Sequence, residues 1–304
     1  MNSALDARQH EDLRHQDWLL MHGLLRRHGL ERYRAYGLPE LIDLSYPAAP
    51  APERRLLLDV LGWFTLLDDH FDGPIGRHPS SAAEFTARLV GVTRTAGRPG
   101  GPLVPPADRG DALLGAWAEL WHRQCLGRSA RWRRRAARDW ADCLRTFVTE
   151  TEHRSRGTLP GGLSAVLLRR HASCLYPFMN LLERVAGREL PRRLCLRADW
   201  RRLRAHTADA ATLINDLFSL EREETQGSGF NTVTLLRREF GLSRELARRV
   251  VADRTAGLRA ESELLRCGLA LRHPGARWYL EGTRQLVDGV YAWTSASRRY
   301  RHQV

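Results

Sequence analysis

Apolar residues recur every three or four positions along most of this chain, which is the spacing of one face of an α-helix. In the stretch 11–29, the apolar stripe runs from Leu13 to Leu25 and stops at Gly29. Alternating patterns typical of β-strands are almost absent. The sequence therefore predicts an all-α protein with about a dozen helices. Further long helices are predicted at residues 52–72, 110–127, 133–154, 162–187, 200–224, 243–268 and 274–299.

Two stretches interrupt the helical pattern. Thr95–Gly110 is rich in Pro and Gly, and Thr225–Thr232 contains Gly, Ser and Asn. Both compositions are typical of loops. Because long helices resume on either side, neither loop is expected to link separate domains, and we predict one domain over residues 1–304.

The composition permits a large core, since 43% of the 304 residues are hydrophobic. No apolar stretch reaches the roughly 18–20 residues of a membrane-spanning helix, and the polar N-terminal stretch lacks the apolar core of a signal peptide. We therefore expect a soluble, cytoplasmic protein with no membrane span. The five cysteines are widely spaced and include no CxxC pair, so buried free thiols are expected rather than disulfides or a metal cluster.

The net charge is +13, and all 48 basic residues are arginine. One interpretation is a nucleic-acid-binding protein, and its best evidence is Gly127–Trp140, where arginines flank Trp132 and that ring could stack on a base. The other is a genome that favours arginine over lysine. The arginines are spread along the whole chain, which favours the second interpretation, so we expect no nucleic-acid partner.

An acidic cluster follows the apolar stretch that ends at Leu67. Asp68 and Asp72 are four residues apart, so they lie about 40° apart on one helical face. Carboxylates on one face repel each other unless a cation lies between them, and oxygen ligands suit Mg²⁺, above all where phosphates are also bound. An acidic helix end is the ordinary alternative. The apolar neighbours Leu66 and Phe71 favour a metal site.

A second set of oxygen donors lies in NDLFSLERE, at Asn215–Glu223. Asn215, Ser219 and Glu223 are four residues apart in turn and span about 80° of one helical face. An amide, a hydroxyl and a carboxylate can form a second oxygen site for a metal, and Arg222 could pair with a phosphate. The ordinary alternative is a polar helix face.

The C-terminal sequence WTSASRRY, at Trp293–Tyr300, contains two further donors. Arg299 supplies a guanidinium and Tyr300 a phenol, and both can donate hydrogen bonds to an anion. Alone, this pair carries little information, because Arg-rich C-termini are common.

The three motifs together resemble those of microbial class I terpene synthases. DDHFD matches the Asp-rich DDxxD motif, NDLFSLERE matches the N-D-x-x-S-x-x-[KR]-E triad, and WTSASRRY is similar to the C-terminal W-S-x-x-T-x-R-Y. Their order matches, as does the spacing of 147 residues (215 − 68) between Asp68 and Asn215. The resemblance covers most of the chain.

The resemblance implies an α-helical bundle around a central active-site cavity, with three Mg²⁺ ions and an isoprenoid diphosphate, and pyrophosphate as a product. Asp68 would ligate two of the metals, with Asp72 near or in the same site, and Asn215, Ser219 and Glu223 would hold the third. Metal ions would stabilise the departing diphosphate. The remaining allylic carbocation needs a dry, aromatic cavity. The candidate cavity aromatics are Phe64, Phe178 and Trp293, each of which could instead be ordinary core.

The resemblance also implies an arginine that senses the diphosphate, at a spacing that falls on Arg169, with Arg170 as the alternative. Ser173 then falls at the effector position whose carbonyl helps to trigger ionisation, where relatives usually carry Gly nearby. Pro177 lacks the N–H that would bond the Ser173 carbonyl, so we expect a helix break between Ala172 and Pro177. A simple proline kink is the alternative.

Three other functions compete with a cyclase. A chain-elongating prenyltransferase would normally carry two Asp-rich motifs and lysines, and this chain has one such motif and no lysine. The nucleic-acid binder and a degenerate cyclase that binds without turnover are the others. Farnesyl diphosphate is the expected substrate, geranylgeranyl diphosphate is the alternative, and a ten-carbon substrate stays open. A homodimer is possible.

Overall fold

The computed structural model describes residues 2–94, 109–225 and 229–297. These residues form α-helices joined by short turns and three short 3₁₀ helices, and they contain no β-strand. The prediction of an all-α protein is confirmed. The α-helices are α1 (Asn2–Met21), α2 (Leu30–Arg34), α3 (Leu38–Ser45), α4 (Ala51–Phe71), α5 (Pro79–Arg94), α6 (Arg109–Cys125), α7 (Ala130–Arg156), α8 (Gly162–Ala172), α9 (Leu175–Val185), α10 (Arg192–Cys195), α11 (Ala198–Thr225), α12 (Thr232–Phe240), α13 (Arg244–Arg272) and α14 (Arg277–Ala296).

The long helices lie close to where the hydrophobic pattern places them, with two differences. The first helix ends at Met21 rather than near Gly29, because Gly23 has a left-handed backbone with φ of 67°. The stretch 162–187 forms two helices, α8 and α9, rather than one. The loop predicted at Thr95–Gly110 lies almost entirely outside the described residues.

The described residues divide into two compact units. The first contains the residues up to Asp43 and from Ala48 to Ser155. The second contains Leu44–Pro47 and the residues from Arg156 onwards. The single domain expected from the sequence stays a prediction.

Stacked tryptophans form the core of the first unit. Trp63 on α4 stacks on Trp117 of α6 with ring centroids 4.5 Å apart, and Trp140 of α7 meets both rings edge-on. All three rings are completely buried. The Trp63 indole N–H donates to the Leu113 carbonyl at 2.9 Å. This packing holds α4, whose last turn carries the acidic cluster.

Helix α11 forms the centre of the second unit, where it packs against α8, α9, α12, α13 and α14. Ala210 and Ile214 of α11 pack with Leu258 of α13 and Val287 of α14. Further along the same helix, Leu220 packs with residues of α12 and α13. With its apolar face buried in this way, α11 holds the Asn215–Glu223 segment in a fixed orientation.

Three sequence expectations can be compared with the packing. Cys125, Cys143 and Cys174 are buried free thiols, whereas Cys195 is half-buried and Cys267 is exposed.

Trp132, the ring proposed to stack on a base, is completely buried and is therefore inaccessible to a nucleic acid. Among the helices that the structure describes, none has the length and apolar character needed to cross a membrane.

Candidate active site

The acidic cluster lies where α4 ends. Carboxylate oxygens of Asp68, Asp69 and Asp72 lie within 4.8 Å of one another. Asp72 caps the helix, and its backbone N–H donates to the Asp68 carbonyl at 3.0 Å. Asp68 and Asp69 are half-buried, and Asp72 is exposed. Asp69 therefore joins the two aspartates that sequence reasoning assigned to the metal.

Aromatic packing fixes the backbone around this cluster. Phe71 is buried and stacks on Phe147 of α7 with ring centroids 4.4 Å apart. Gly76 passes so close to the Phe71 carbonyl that a Cβ atom there would collide with it. Three carboxylates held this close repel one another, and a divalent cation relieves that repulsion. The all-oxygen donor set fits Mg²⁺ or Ca²⁺ rather than a thiophilic metal.

The second donor set lies along one face of α11. Ser219 is buried, and Asn215 and Glu223 are half-buried. The buried Ser219 Oγ has no hydrogen-bond partner of normal geometry within the described part of the chain, although it lies near enough to Glu223 to lower the pKa of that carboxyl. A buried hydroxyl of this kind, between an amide and a carboxylate, fits an oxygen-liganded cation.

The Glu223 carboxyl has a raised pKa, mainly because it is buried. The charge of Arg169 lowers the pKa and the charge of Asp216 raises it, while the nearby polar groups of Ser219 and Asn231 lower it. The rise in pKa caused by burial is therefore larger than the decrease caused by Arg169, Ser219 and Asn231. A cation at Glu223 would favour the ionised form, as in other metal sites.

Arg169 on α8 reaches this face of α11. Its guanidinium donates to Asp216, which is completely buried and directly follows Asn215. The other Asp216 oxygen accepts from the Thr232 backbone N–H at 2.9 Å. The diphosphate-sensing candidate thus lies next to the predicted metal ligands of the same unit.

Arg170, the alternative sensor, points to a different partner. Its Nε and Nη2 donate to the two carboxylate oxygens of Asp209 at 2.6 and 2.8 Å. The hydrogen bond that Arg170 donates to Asp209 is the main reason why the pKa of Arg170 is raised. The Nε and Nη2 groups of Arg170 are therefore both paired with Asp209. This pairing favours Arg169 as the anion-binding residue.

The chain breaks between α8 and α9, within the interval predicted from the sequence. Cys174 has a left-handed backbone with φ of 59°, and it is the one described non-glycine residue with a positive φ. The Ser173 hydroxyl donates to the Arg170 carbonyl at 2.8 Å. Pro177 is the third residue of α9, where an N–H has no partner within the helix. The break therefore coincides with Cys174, and Pro177 lies in the first turn of the next helix instead of kinking a continuous one.

The remaining predicted site residues lie in several places. Phe64 is half-buried, with its ring near Trp140 and Phe147. Phe178 and Trp293 are buried. Arg222 on α11 is half-buried. Two predicted anion-binding residues, Arg299 and Tyr300, lie outside the described residues.

Sequence reasoning missed three residues that the structure brings to these sites. Asp69 lies inside the DDxxD motif, and Asp216 is the second residue of the triad motif. Asn231 caps α12, and an Asn directly before the apolar-periodic stretch from Thr232 is a recognisable N-cap signal. The contacts of Asp216 and Asn231 are long-range and could not be read from spacing alone.

Comparison with known proteins identifies the family. The family model described as "Terpene synthase family 2, C-terminal metal binding" matches residues 59–261. The chain belongs to the terpene synthase family. The matched segment contains both predicted metal-ligand motifs and the α8–α9 break. This terpene synthase is thus a metal-binding enzyme that acts on an isoprenoid diphosphate.

Similar proteins cover nearly the whole chain. Pentalenene synthase of Streptomyces exfoliatus is 30% identical over 296 residues, which cover 93% of this chain and 85% of that protein. R-linalool synthase of Streptomyces clavuligerus is 32% identical, covering 94% and 87%. The crystal structure of linalool/nerolidol synthase from Streptomyces clavuligerus superposes with a TM-score of 0.84 at 27% identity, covering 94% and 96% of the two chains. These similarities show a bacterial class I terpene synthase and do not favour a nucleic-acid-binding protein.

Proposed function

We propose that this terpene synthase cyclises farnesyl diphosphate with three Mg²⁺ ions and releases pyrophosphate. Asp68 and Asp72, joined by Asp69, hold metal at the end of α4. Asn215, Ser219 and Glu223 hold metal on α11. The observation that carries the proposal is the Arg169 guanidinium beside this triad, because one site then offers both metal ligands and an anion donor.

When bound, Mg²⁺ neutralises the charge that develops on the leaving diphosphate. Arg169 donates hydrogen bonds to the same anion and so favours heterolysis of the C–O bond. The electron pair of that bond leaves with the diphosphate, and an allylic carbocation remains. Aromatic faces stabilise a cation without attacking it, and Phe64, Phe178 and Trp293 are proposed for this role. The reaction ends when the cation loses a proton or is captured by water.

Named relatives support the fifteen-carbon substrate. One similar protein is a 7-epi-alpha-eudesmol synthase described as cyclising (2E,6E)-farnesyl diphosphate, at 31% identity over 94% of this chain. The test is incubation with geranyl, farnesyl and geranylgeranyl diphosphate, each with Mg²⁺, followed by gas chromatography and mass spectrometry. Cyclic fifteen-carbon products and pyrophosphate are expected from farnesyl diphosphate. Cyclic products from geranylgeranyl diphosphate alone would identify the enzyme as a diterpene cyclase. An acyclic product would contradict the proposed cyclisation.

Several finer points of the proposal rest on the sequence. Arg299, Tyr300 and Arg222 are proposed to donate to the diphosphate, and Ser173 to assist ionisation through its carbonyl. Removal of the last six residues, which include Arg299 and Tyr300, should leave a folded protein that no longer retains pyrophosphate. Unchanged pyrophosphate affinity would exclude that role. A homodimer and a cytoplasmic location stay predictions, to be checked by light scattering and cell fractionation.

A further inference from the structure

Asn231 lies at the start of α12 and is completely buried. Its side-chain oxygen accepts the Val233 backbone N–H at 3.0 Å and so caps the helix. Its amide nitrogen donates to the Asp216 carbonyl of α11 at 2.8 Å. One side chain therefore ties the first turn of α12 to the middle of the metal-binding helix.

The same side chain also acts on the proposed metal ligand Glu223. The Asn231 side chain lies near enough to the Glu223 carboxyl to lower the pKa of that group. A primary amide has two N–H donors and one oxygen acceptor. Asn231 thus uses its oxygen for Val233 and one N–H for Asp216.

The residue after Asn231 also contacts Asp216. The Thr232 backbone N–H donates to one carboxylate oxygen of Asp216, and Arg169 donates to the other. The positive end of the α12 dipole further favours a carboxylate at this point. The start of α12 therefore supports Asp216, which in turn holds Arg169.

We infer that Asn231 is a positioning residue, which holds Asp216 and its partner Arg169, beside the proposed metal ligand Asn215, for binding of metal and diphosphate. This inference rests on the proposed function, because it assumes that Asn215 binds metal and that Arg169 contacts the diphosphate. Groups that orient metal ligands commonly change metal affinity or activity by about 10–100-fold when they are replaced. The ordinary alternative is that Asn231 only caps α12.

Two variants separate positioning from capping. Asn231→Ser keeps a side-chain oxygen suited to an N-cap and removes the amide donor without adding charge. Ser243→Ala is the matched control, because the Ser243 hydroxyl caps α13 by accepting the Leu246 N–H at 3.2 Å. Both should lower the melting temperature of the ligand-free enzyme by no more than a few degrees.

The deciding measurement is the apparent affinity of the full-length enzyme for Mg²⁺ in the presence of inorganic pyrophosphate, by calorimetry. We expect Asn231→Ser to weaken it by about tenfold or more, with a matching rise in the Mg²⁺ concentration for half-maximal turnover. Ser243→Ala should bind like wild type. If Asn231→Ser binds Mg²⁺ like wild type, or if Ser243→Ala loses as much affinity, the inference is wrong.

A second substitution of Asn231 keeps the test decisive if Asn231→Ser does not fold. Asn231→Asp retains the shape and the capping oxygen, and it places a carboxylate oxygen against the Asp216 carbonyl in place of the amide donor. It should weaken Mg²⁺ binding by at least as much, and wild-type affinity would overturn the inference. The proposed function fails separately, if the wild-type enzyme converts none of the three diphosphates. In that case the binding contrast between variants still decides the role of Asn231.

Discussion

The Arg169 guanidinium donates to the completely buried carboxylate of Asp216, 47 residues further along the chain. Asp216 directly follows Asn215, so this ion pair lies beside the proposed metal ligands. Exposure does not separate the two candidate sensors, since the Arg169 side chain is 17% exposed and the Arg170 side chain is 21% exposed. The position of Arg169 beside Asn215 favours it as the proposed anion donor, whereas Arg170 pairs with Asp209.

Replacement of Arg169 by lysine should weaken binding of pyrophosphate and lower turnover, each by about tenfold or more, because lysine cannot make the same bidentate contacts. Lysine keeps a positive charge opposite Asp216, so the fold should survive. Arg170→Lys is the control, and its loss of the Asp209 pair should cost about 1 kcal/mol of unfolding free energy. Calorimetry with pyrophosphate and urea unfolding measure the two effects. A larger loss of affinity in Arg170→Lys would reverse the assignment.

The acidic cluster should destabilise the metal-free enzyme, because three carboxylates lie within 4.8 Å of one another. Asp68→Asn should therefore raise the melting temperature without metal while it lowers turnover by about 100-fold or more. The stabilisation that Mg²⁺ gives to wild type should become smaller. Asp142→Asn, at an exposed pair with Arg145, is the control for loss of one charge. An unchanged response to Mg²⁺ in Asp68→Asn would argue against a metal at α4.

The sequence predicts those parts of the site that depend on short-range helical geometry. Asp68 and Asp72, and likewise Asn215, Ser219 and Glu223, share a face because they are four residues apart on helices with strong apolar patterns. The sequence also predicts a break before Pro177, since proline cannot continue the hydrogen bonding of a helix. It does not predict that the break coincides with Cys174, because cysteine has no preference for a left-handed backbone.

Long-range contacts lie beyond such patterns. The pairing of Arg169 with Asp216, and the capping of α12 by a residue that also bonds α11, depend on how helices pack in three dimensions. Motif spacing suggested either Arg169 or Arg170, and only the positions of Asp209 and Asp216 distinguish them. The two compact units likewise arise from packing, as no linker composition marks them.

Neighbouring aromatic residues on α4 should respond differently to substitution. Phe64 is half-buried, and Phe64→Leu should change the product mixture more than substrate consumption, because a cation over an aromatic ring gains up to about 2 kcal/mol in a dry site. Trp63 is completely buried among other tryptophans, and Trp63→Leu should mainly lower stability, by about 3 kcal/mol. Product analysis and thermal unfolding test the contrast. A wild-type product mixture from Phe64→Leu would show that the ring only packs in the core and does not contact the cation.

Glu119 should contribute to stability in acid. Burial raises the pKa of this carboxyl, but hydrogen bonds from His22 and Trp18 and the charge of Arg123 lower it to about 2. A carboxyl with a lowered pKa stabilises the fold above its unfolded value of 4.5 and loses that effect as the pH falls through 2.

Glu119→Gln should therefore reduce the loss of stability between these two pH values. The side chain is 40% exposed, so screening limits the effect to about 1 kcal/mol. Urea unfolding at a series of pH values measures it, with the exposed Glu84→Gln as the control. An acid profile identical to wild type would contradict this role of Glu119.

The break between α8 and α9 should survive the loss of Pro177. At the third position of α9 an N–H has no partner within the helix, so Pro177→Ala restores no hydrogen bond there and leaves Cys174 in its left-handed conformation. Proline also restricts the unfolded chain, so the substitution should lower stability by about 0.4–1 kcal/mol. The single-turnover rate with saturating substrate should stay within about twofold of wild type, because the Ser173 carbonyl keeps its position.

The contrasting variant acts at the break itself. Cys174→Val places a β-branched residue where φ is 59°, a conformation that such residues rarely adopt. We expect it to shift the backbone of Ser173, and hence to slow ionisation much more than Pro177→Ala does. Pyrophosphate affinity should change less than the single-turnover rate, because Arg169 lies one turn earlier on α8. If Pro177→Ala instead joins α8 and α9 into one helix and slows ionisation, proline rather than the conformation of Cys174 maintains the break.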